Sequence, residues 1–424
     1  MPLASLYSRA SSPASVVACK HPCKAVRAGD DQLSSAAQKR IVSFTGRPEP
    51  DTGKLPTDDS PSLVSADSSA CDKKARTLGP TLRRFNRYRD ALPYARAASD
   101  MSRDPAGSTR VKTPCLTRLP DKGDALCAKL GLKRGTITDK GLRNDETGFR
   151  AAMYRDESTG KLILVARDTE PTSLVDWQTN TRNGDGQDTD QYAEMRKLSG
   201  ALKDEKIPFD VAGYSKGGGL AQEAALVNHD AQAYVFNGAG LHPNSLLRTG
   251  NTDFGSLASR TQAYSSDHDF LTYMNQTTNP EQQIANVKFL RRELAGENRP
   301  LFNPMKIDHR NPEKPDGAKD ADFIEDKDSY LDELDQKIAN MEADRAAGRP
   351  LSAFPPVRAG QQETIPDSLS QVGQWLGADE EGPNLGKLAQ HQMDNVLLPL
   401  QVHVDQDRAA LQDFISRCGL GGGP

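Results

Sequence analysis

The sequence predicts an α/β protein built on a mostly parallel central sheet. Three observations carry that expectation: short β-prone runs alternate with amphipathic helical stretches between residues 149 and 265, a glycine-rich turn containing Ser215 joins one such run to one such stretch, and polar segments flank this core on both sides. The chain has 424 residues, of which 36% are hydrophobic, so one large core with polar attachments is expected. Its 54 basic and 58 acidic residues nearly cancel, to a net charge of -4, and this argues against the broad cationic field of a nucleic-acid binder. No run approaches the roughly 20 apolar residues that cross a bilayer, so any membrane contact is expected to be peripheral.

From the start of the chain, residues 1–77 are rich in Ser, Ala, Pro, Asp and Lys and read as a disordered leader that buries too little surface to offset its ordering entropy. Val16-Val17-Ala18-Cys19 faintly resembles a lipoprotein cleavage box, but Ser, Pro and Arg precede it where an export signal needs a continuous apolar stretch. Standard export is not expected. Cys19-Lys20-His21-Pro22-Cys23 could hold a metal only with a second ligand pair at zinc-finger spacing, and none follows, so no metal is expected. Six cysteines are too sparse for a disulfide scaffold, and stability is expected not to depend on oxidation.

The folded domain is expected over residues 78–416. Leu82, Phe85, Tyr88, Leu92 and Ala95 recur at helical spacing and predict a packing helix from Thr81 to Met101. Phe149 to Arg155 and Lys161 to Arg167 read as adjacent strands, the first at a sheet edge, around the turn-rich break Asp156-Glu157-Ser158-Thr159-Gly160. A helix over Gln191 to Leu202, a strand over Pro208 to Ala212, a helix from Lys216 to Val227 and a strand over Ala231 to Phe236 then imply a parallel crossover, and Thr261 to Ser265 adds a further strand. Residues 300–350 form a charged insertion in which Leu331, Leu334, Ile338 and Met341 lie on one helical face; a surface helix, a lid and a partner site all fit it. The flexible tail, residues 417–424, closes on Gly-Gly-Gly-Pro.

Chemistry concentrates at Gly213-Tyr214-Ser215-Lys216-Gly217-Gly218-Gly219. A serine on a sharp strand-to-helix turn needs glycine two places before and after it, because side chains there would strike the neighbouring strand and helix. The helix amino terminus then points its unsatisfied N–H groups at a developing oxyanion. A purely structural glycine turn is the plain alternative, whereas a phosphate loop would need a Gly-Lys-Ser/Thr that does not follow. A serine nucleophile needs a histidine to take its proton and an acid to orient that histidine, and in folds with a strand-turn-helix elbow of this kind the chain order is Ser, acid, His. Asp267 and Asp269 both lie after the next strand but one. Of seven histidines, His21 falls in the leader, His229 sits about 20 Å along the helix from Ser215, His242 precedes both acids and His268 is their neighbour. His309, His391 and His403 remain.

At these residues the chain resembles the bacterial class-3-lipase-like α/β hydrolases, in particular a group whose elbow reads Gly-His-Ser-Lys-Gly-Gly and continues Leu-Ala. Arg167-Asp168-Thr169, Asp176-Trp177 and Asn180 are similar to that family's Arg-Gly-Thr, Asp-Trp, Asn segment, and Phe236-Asn237-Gly238-Ala239-Gly240-Leu241 to its next strand end. The similarity covers about residues 140 to 275, with a weaker echo near His391. It implies the α/β-hydrolase fold, a triad of Ser215, Asp269 and His391, and an oxyanion site made by Thr169 and the backbone N–H of Lys216. The implied activity is hydrolysis of a lipid carboxylic ester, of lipase or phospholipase A type, which requires no cofactor. Lipid or phospholipid at a peripheral membrane surface is the implied partner. The polar leader also resembles proteins that bacteria inject into hosts or rivals, which implies secretion without a standard signal and a secretion chaperone; the alternative destination is the cytoplasm. One departure matters: Asp168 replaces the family's usual Gly, and its carboxylate would oppose a developing negative charge unless paired, for which Arg167 is the nearest candidate. That departure motivates the alternative of a binding or scaffold protein on a dead hydrolase fold. A thioesterase or peptidase using the same triad is a further alternative. For Asp176 the sequence suggests a helix cap, and for Trp177 a place in the core.

Overall fold

A computed structural model describes residues 23–45, 66–103, 113–170, 173–250, 253–295, 320–351 and 359–418. Eight strands form one sheet: β1 (Leu116–Arg118), β2 (Arg143–Asn144), β3 (Phe149–Asp156), β4 (Leu162–Ala166), β5 (Phe209–Tyr214), β6 (Ala233–Phe236), β7 (Thr261–Ser265) and β8 (Gln361–Thr364). Their order is β1-β3-β4-β5-β6-β7-β8, with β2 paired to β3. Strands β4 to β8 run parallel, while β1, β2 and β4 pair antiparallel with β3. This is a mixed, mostly parallel α/β sheet of the α/β-hydrolase kind.

The period of two along each strand divides the core into two layers. Ala152, Tyr154, Ile163, Val165, Ala212, Tyr214, Tyr234, Phe236 and Tyr264 face the helices Gly79–Arg103 and Asp394–Arg417. Met153, Leu164, Ala166, Val211 and Ala233 face the opposite layer, with the helices Asp190–Asp204 and Lys216–Val227. Because the central strands are covered on both faces, they read as nearly continuous apolar runs.

Three expectations change. Strand β3 is not an edge, since β1 and β2 pair along it, and the far edge is β8, whose Gln-Gln-Glu-Thr carries no apolar alternation to betray it. The expected leader contains two helices, Cys23–Thr45 and Ala66–Thr77, and the rest of residues 1–65 lies outside the described residues. Ala37 and Ile41 bury against the Gly79–Arg103 layer, and Arg408 donates to Asp30 through Nε at 2.9 Å and an Nη at 3.0 Å. Composition missed these helices because what holds them lies elsewhere in the chain. Finally, disulfides join Cys23 to Cys115 and Cys71 to Cys418, while Cys127 is free and buried and Cys19 lies outside the described residues.

The charged insertion contains the helix Asp320–Ala346, laid antiparallel on the helix Pro280–Ala295. Leu331, Leu334, Ile338 and Met341 bury against Ile284, Val287, Leu294 and Leu174, and Lys288–Glu342 and Arg291–Asp335 pair across the outside at 2.6 and 2.9 Å. Residues 296–319, including His309, lie outside the described residues.

The Cys71–Cys418 bridge closes a loop with a sequence separation of 347, which in the chain-entropy view stabilises the fold by removing freedom from the unfolded state. Replacing both cysteines by serine is expected to cost roughly 2–5 kcal/mol, a fall of about 2–7 °C in Tm by calorimetry. Wild-type protein in strong reductant should show a comparable fall, and a midpoint indifferent to reductant would refute it.

Candidate active site

Strand β5 ends at Tyr214 and the next helix begins at Lys216, leaving Ser215 alone on the turn between them. Its φ of 53° lies in the left-handed region that residues with a Cβ rarely occupy. The turn is held there by its neighbours. A Cβ on Gly213 would stand 1.9 Å from the carbonyl oxygen of Gly217, and one on Gly217 would stand 2.4 Å from that of Ala166 on β4. Glycine is therefore obligatory at both places, for the steric reason the motif implies. The Ser215 N–H donates to the Phe236 carbonyl at 3.1 Å, and the Ser215 carbonyl accepts from Gly218 and Ala239, each at 2.9 Å.

His391 follows the helix Leu385–Gln390 as its C-cap, just ahead of the long helix Asp394–Arg417. Its Nε2 lies 2.9 Å from Ser215 Oγ and its Nδ1 lies 2.5 Å from Asp269 Oδ1. Asp269 caps the helix Phe270–Gln276, where Oδ2 accepts from the Thr272 N–H at 2.7 Å and the Thr272 hydroxyl at 2.6 Å. Burial alone would raise the Asp269 carboxyl, but the His391 ring and the two Thr272 donors outweigh it and hold the group below the ordinary carboxylate range. With the Nδ1 proton directed at Asp269, Nε2 is free to accept the serine proton.

The imidazole is braced from the strand side. Its ring stacks on Tyr214 with centroids 5.2 Å apart, the Tyr214 hydroxyl donates to the His391 carbonyl, and the Ser266 hydroxyl donates to the Gln390 carbonyl at 3.0 Å. Gln390 in turn accepts from the N–H and hydroxyl of Ser370, at 3.0 and 2.9 Å. Ser266 and Gln390 carry no motif that would single them out in the sequence, and Tyr214 holds a position of the elbow motif that the motif leaves unspecified.

Other candidates fall elsewhere. Asp267 faces His268, with 3.7 Å between carboxylate and ring, and both are partly exposed. His403 sits in the Asp394–Arg417 helix and bonds the Pro366 carbonyl at 2.9 Å. His242 caps the helix Pro243–Arg248.

On the oxyanion side, Lys216 is the first residue of its helix, so its peptide N–H belongs to the turn that lacks intrahelical acceptors. Thr169 Oγ1 accepts from Asn180 Nδ2 at 2.9 Å, which leaves the hydroxyl proton to donate elsewhere. Asp168 accepts from the Ser102 hydroxyl at 2.8 Å, and burial raises its pKa, favouring the neutral form and weakening the objection to a carboxylate at this place. Arg167 pairs with Glu170 instead of Asp168. Asp176 is no helix cap, a role that belongs to Ser173; its carboxylate is buried against the Lys216 ammonium at 2.5 Å. Trp177 is partly buried against the insertion helices.

Residues 100–297 match the phospholipase-like family described as the Tle-like phospholipase domain. That span contains Thr169, Ser215, Lys216 and Asp269 and stops short of His391. The chain is also similar to the extracellular phospholipase A1 of Serratia liquefaciens, with 29% identity over 163 residues that make up 37% of this chain and 47% of that protein. The match thus spans about half the length of that relative. Residues 100–297 are thus similar to a phospholipase-like domain, and the chain is distantly similar to an extracellular phospholipase A1.

The Asp269 environment has a stability signature. A carboxyl whose folded pKa is depressed contributes stability that is present above its unfolded pKa and is lost as pH falls through the folded value. The difference in unfolding free energy between wild type and Asp269→Asn should therefore be largest near neutrality and shrink from about pH 4 downward. Denaturant titrations at several pH values check this, and a difference that grows on acidification would contradict it.

Proposed function

We propose that this protein hydrolyses a carboxylic ester of a phospholipid, as a phospholipase A-type serine hydrolase with Ser215 as nucleophile, His391 as base and Asp269 as the orienting acid. The observation that carries the reading is the unbroken line from Asp269 through both ring nitrogens of His391 to Ser215, at 2.5 and 2.9 Å. In the proposed cycle Ser215 Oγ attacks the ester carbonyl while its proton passes to His391 Nε2. Negative charge then develops on the carbonyl oxygen, where the Lys216 N–H and Thr169 donate to it. The intermediate collapses, His391 returns the proton to the departing glyceryl oxygen, and the lysophospholipid leaves. Water then attacks the acyl-serine by the same route in reverse and releases the fatty acid.

Phospholipid is favoured over other esters by the similarity of residues 100–297 to Tle-like phospholipase domains. The two disulfides favour an oxidising destination over the cytoplasm, which supports the reading of a secreted enzyme. Among the described residues no helix is long and apolar enough to cross a membrane, and the enzyme is proposed to meet its substrate from the lipid surface.

Purified protein given phosphatidylcholine vesicles should release fatty acid and lysophospholipid, and Ser215→Ala should lower kcat by about 10⁴–10⁶-fold without unfolding the chain. A fluorophosphonate probe should label wild type and not that variant. Full phospholipid hydrolysis by Ser215→Ala would end the proposal, and activity confined to thioesters or peptides would replace its substrate.

A further inference from the structure

The side chain of Lys216 has no part in the scheme above, yet it is buried at 2% exposure beside Asp176, also at 2%. Burying two opposite charges costs a desolvation penalty that their attraction does little more than offset, so such a pair is weak evidence of a device for stability alone. Its location suggests another use. Lys216 directly follows Ser215, and its own peptide N–H is one proposed oxyanion donor. Asp176 lies in the first turn of the helix Leu174–Gly184, which faces the loop carrying the other donor, Thr169.

The two carboxylate oxygens of Asp176 have different partners. Oδ1 meets the Lys216 ammonium at 2.5 Å and accepts from Gln191 Nε2 at 2.6 Å. Oδ2 accepts from the Glu170 backbone N–H at 2.8 Å. Gln191 completes a triangle, its Oε1 accepting from Lys216 Nζ at 2.7 Å and its Nε2 donating to the Thr147 carbonyl at 2.8 Å. One helical turn beyond Asp176, Asn180 donates to Thr169 Oγ1 at 2.9 Å. One helix face thus grips Thr169 and Glu170 by two adjacent side chains, and the same carboxylate holds the residue after the nucleophile. The space behind is tight: a Cβ on Gly148 would lie 3.1 Å from Gln191 Nε2 and 3.3 Å from Asp176 Oδ1.

We infer that Asp176 is a positioning residue that sets the distance between the two oxyanion donors, drawing the Thr169 loop in through Glu170 and the elbow helix in through Lys216. The inference rests on the Ser215 reading proposed above. It deepens that reading by placing control of the transition-state geometry in a buried ion pair that touches no substrate. Since oxyanion donors act on charge that appears only during reaction, their misplacement lowers kcat and leaves KM nearly unchanged.

The test uses the full chain, a short soluble p-nitrophenyl ester and a trifluoromethyl ketone, whose adduct with the serine bears an oxyanion. Asp176→Leu/Lys216→Met removes both charges with apolar side chains of similar volume, an exchange that buried ion pairs often tolerate without loss of stability. Asp176→Asn/Lys216→Gln keeps a neutral hydrogen bond across the same gap. The apolar pair is expected to retain its Tm within a few degrees and its KM within about threefold, while kcat and trifluoromethyl ketone affinity each fall by about 10²-fold. The amide pair should fall less, by about tenfold in each, and it stands alone as the test if the apolar pair does not fold, in which case that fall must exceed what its Tm accounts for. Wild-type kcat and inhibitor affinity in a folded variant overturn the inference, as does a loss of kcat that merely tracks Tm. Fluorophosphonate labelling of wild type separates the two levels: labelled, active wild type with fully active variants sinks the positioning role alone, whereas wild type that neither labels nor hydrolyses sinks the Ser215 reading and this inference with it.

Discussion

The rest of this structure depends on one steric constraint, the closeness of the turn at Ser215 to the strand and helix around it. Gly213 and Gly217 let two backbones approach to distances that no Cβ could share, and the resulting bend holds Ser215 at a positive φ. A strained residue persists only where its surroundings over-determine it. Here β4 supplies the wall, β6 supplies the carbonyl that receives the Ser215 N–H, and the first turn of the following helix receives the Ser215 carbonyl. The strain and the placement of the Ser215 hydroxyl at the end of the sheet, against the His391 ring, are therefore two aspects of the same packing.

Around that turn, two carboxylates, Asp269 buried and Asp168 half-buried, do different things because their partners differ. Asp269 is held below the ordinary carboxylate range by an imidazole and two Thr272 donors, so it stays an acceptor. Asp168 has one hydroxyl from Ser102 and feels Arg167, which pairs with Glu170, only through space, and desolvation outweighs both to raise its pKa. A residue that looks hostile to an oxyanion in the sequence is thus moved toward neutrality by its surroundings. Environment, and not residue type, decides which acid remains charged.

The central strands were legible because burial on both faces writes itself into local composition, and the turn was legible because its glycines obey a purely local geometry. The serine, the histidine and the acid that meet in the structure were singled out by the motif and the family resemblance; the sequence by itself left His309, His391 and His403 open. What escaped was set by distant partners. Strand β8 is four polar residues at an edge, and it is a strand only because β7 offers it a ladder. The helix Cys23–Thr45 buries only a narrow, partly polar face, Asp30, Ser34, Ala37 and Ile41, and is held by Arg408, by the Gly79–Arg103 layer and by Cys115. Asp176 reads as a helix cap from its neighbours alone, and only the fold brings it to Lys216, forty positions away.

The same dependence on distant partners bears on His391. It reaches Ser215 across 176 positions of sequence and Asp269 across 122, so local chain geometry cannot hold it in place. The helix that follows it, Asp394–Arg417, packs on Gly79–Arg103 through Val396, Leu400, Val404 and Leu411. Asp407 on that helix accepts from Arg84 through both oxygens, at 2.7 and 2.9 Å, and Arg96 donates to Gln401. Cys418 at its end is bonded to Cys71, just before the helix it rests on. The helix that follows this imidazole is thus tied at its far end by a covalent bond to the layer it packs on, so the segment on the carboxyl side of His391 is fixed by distant contacts along its whole length.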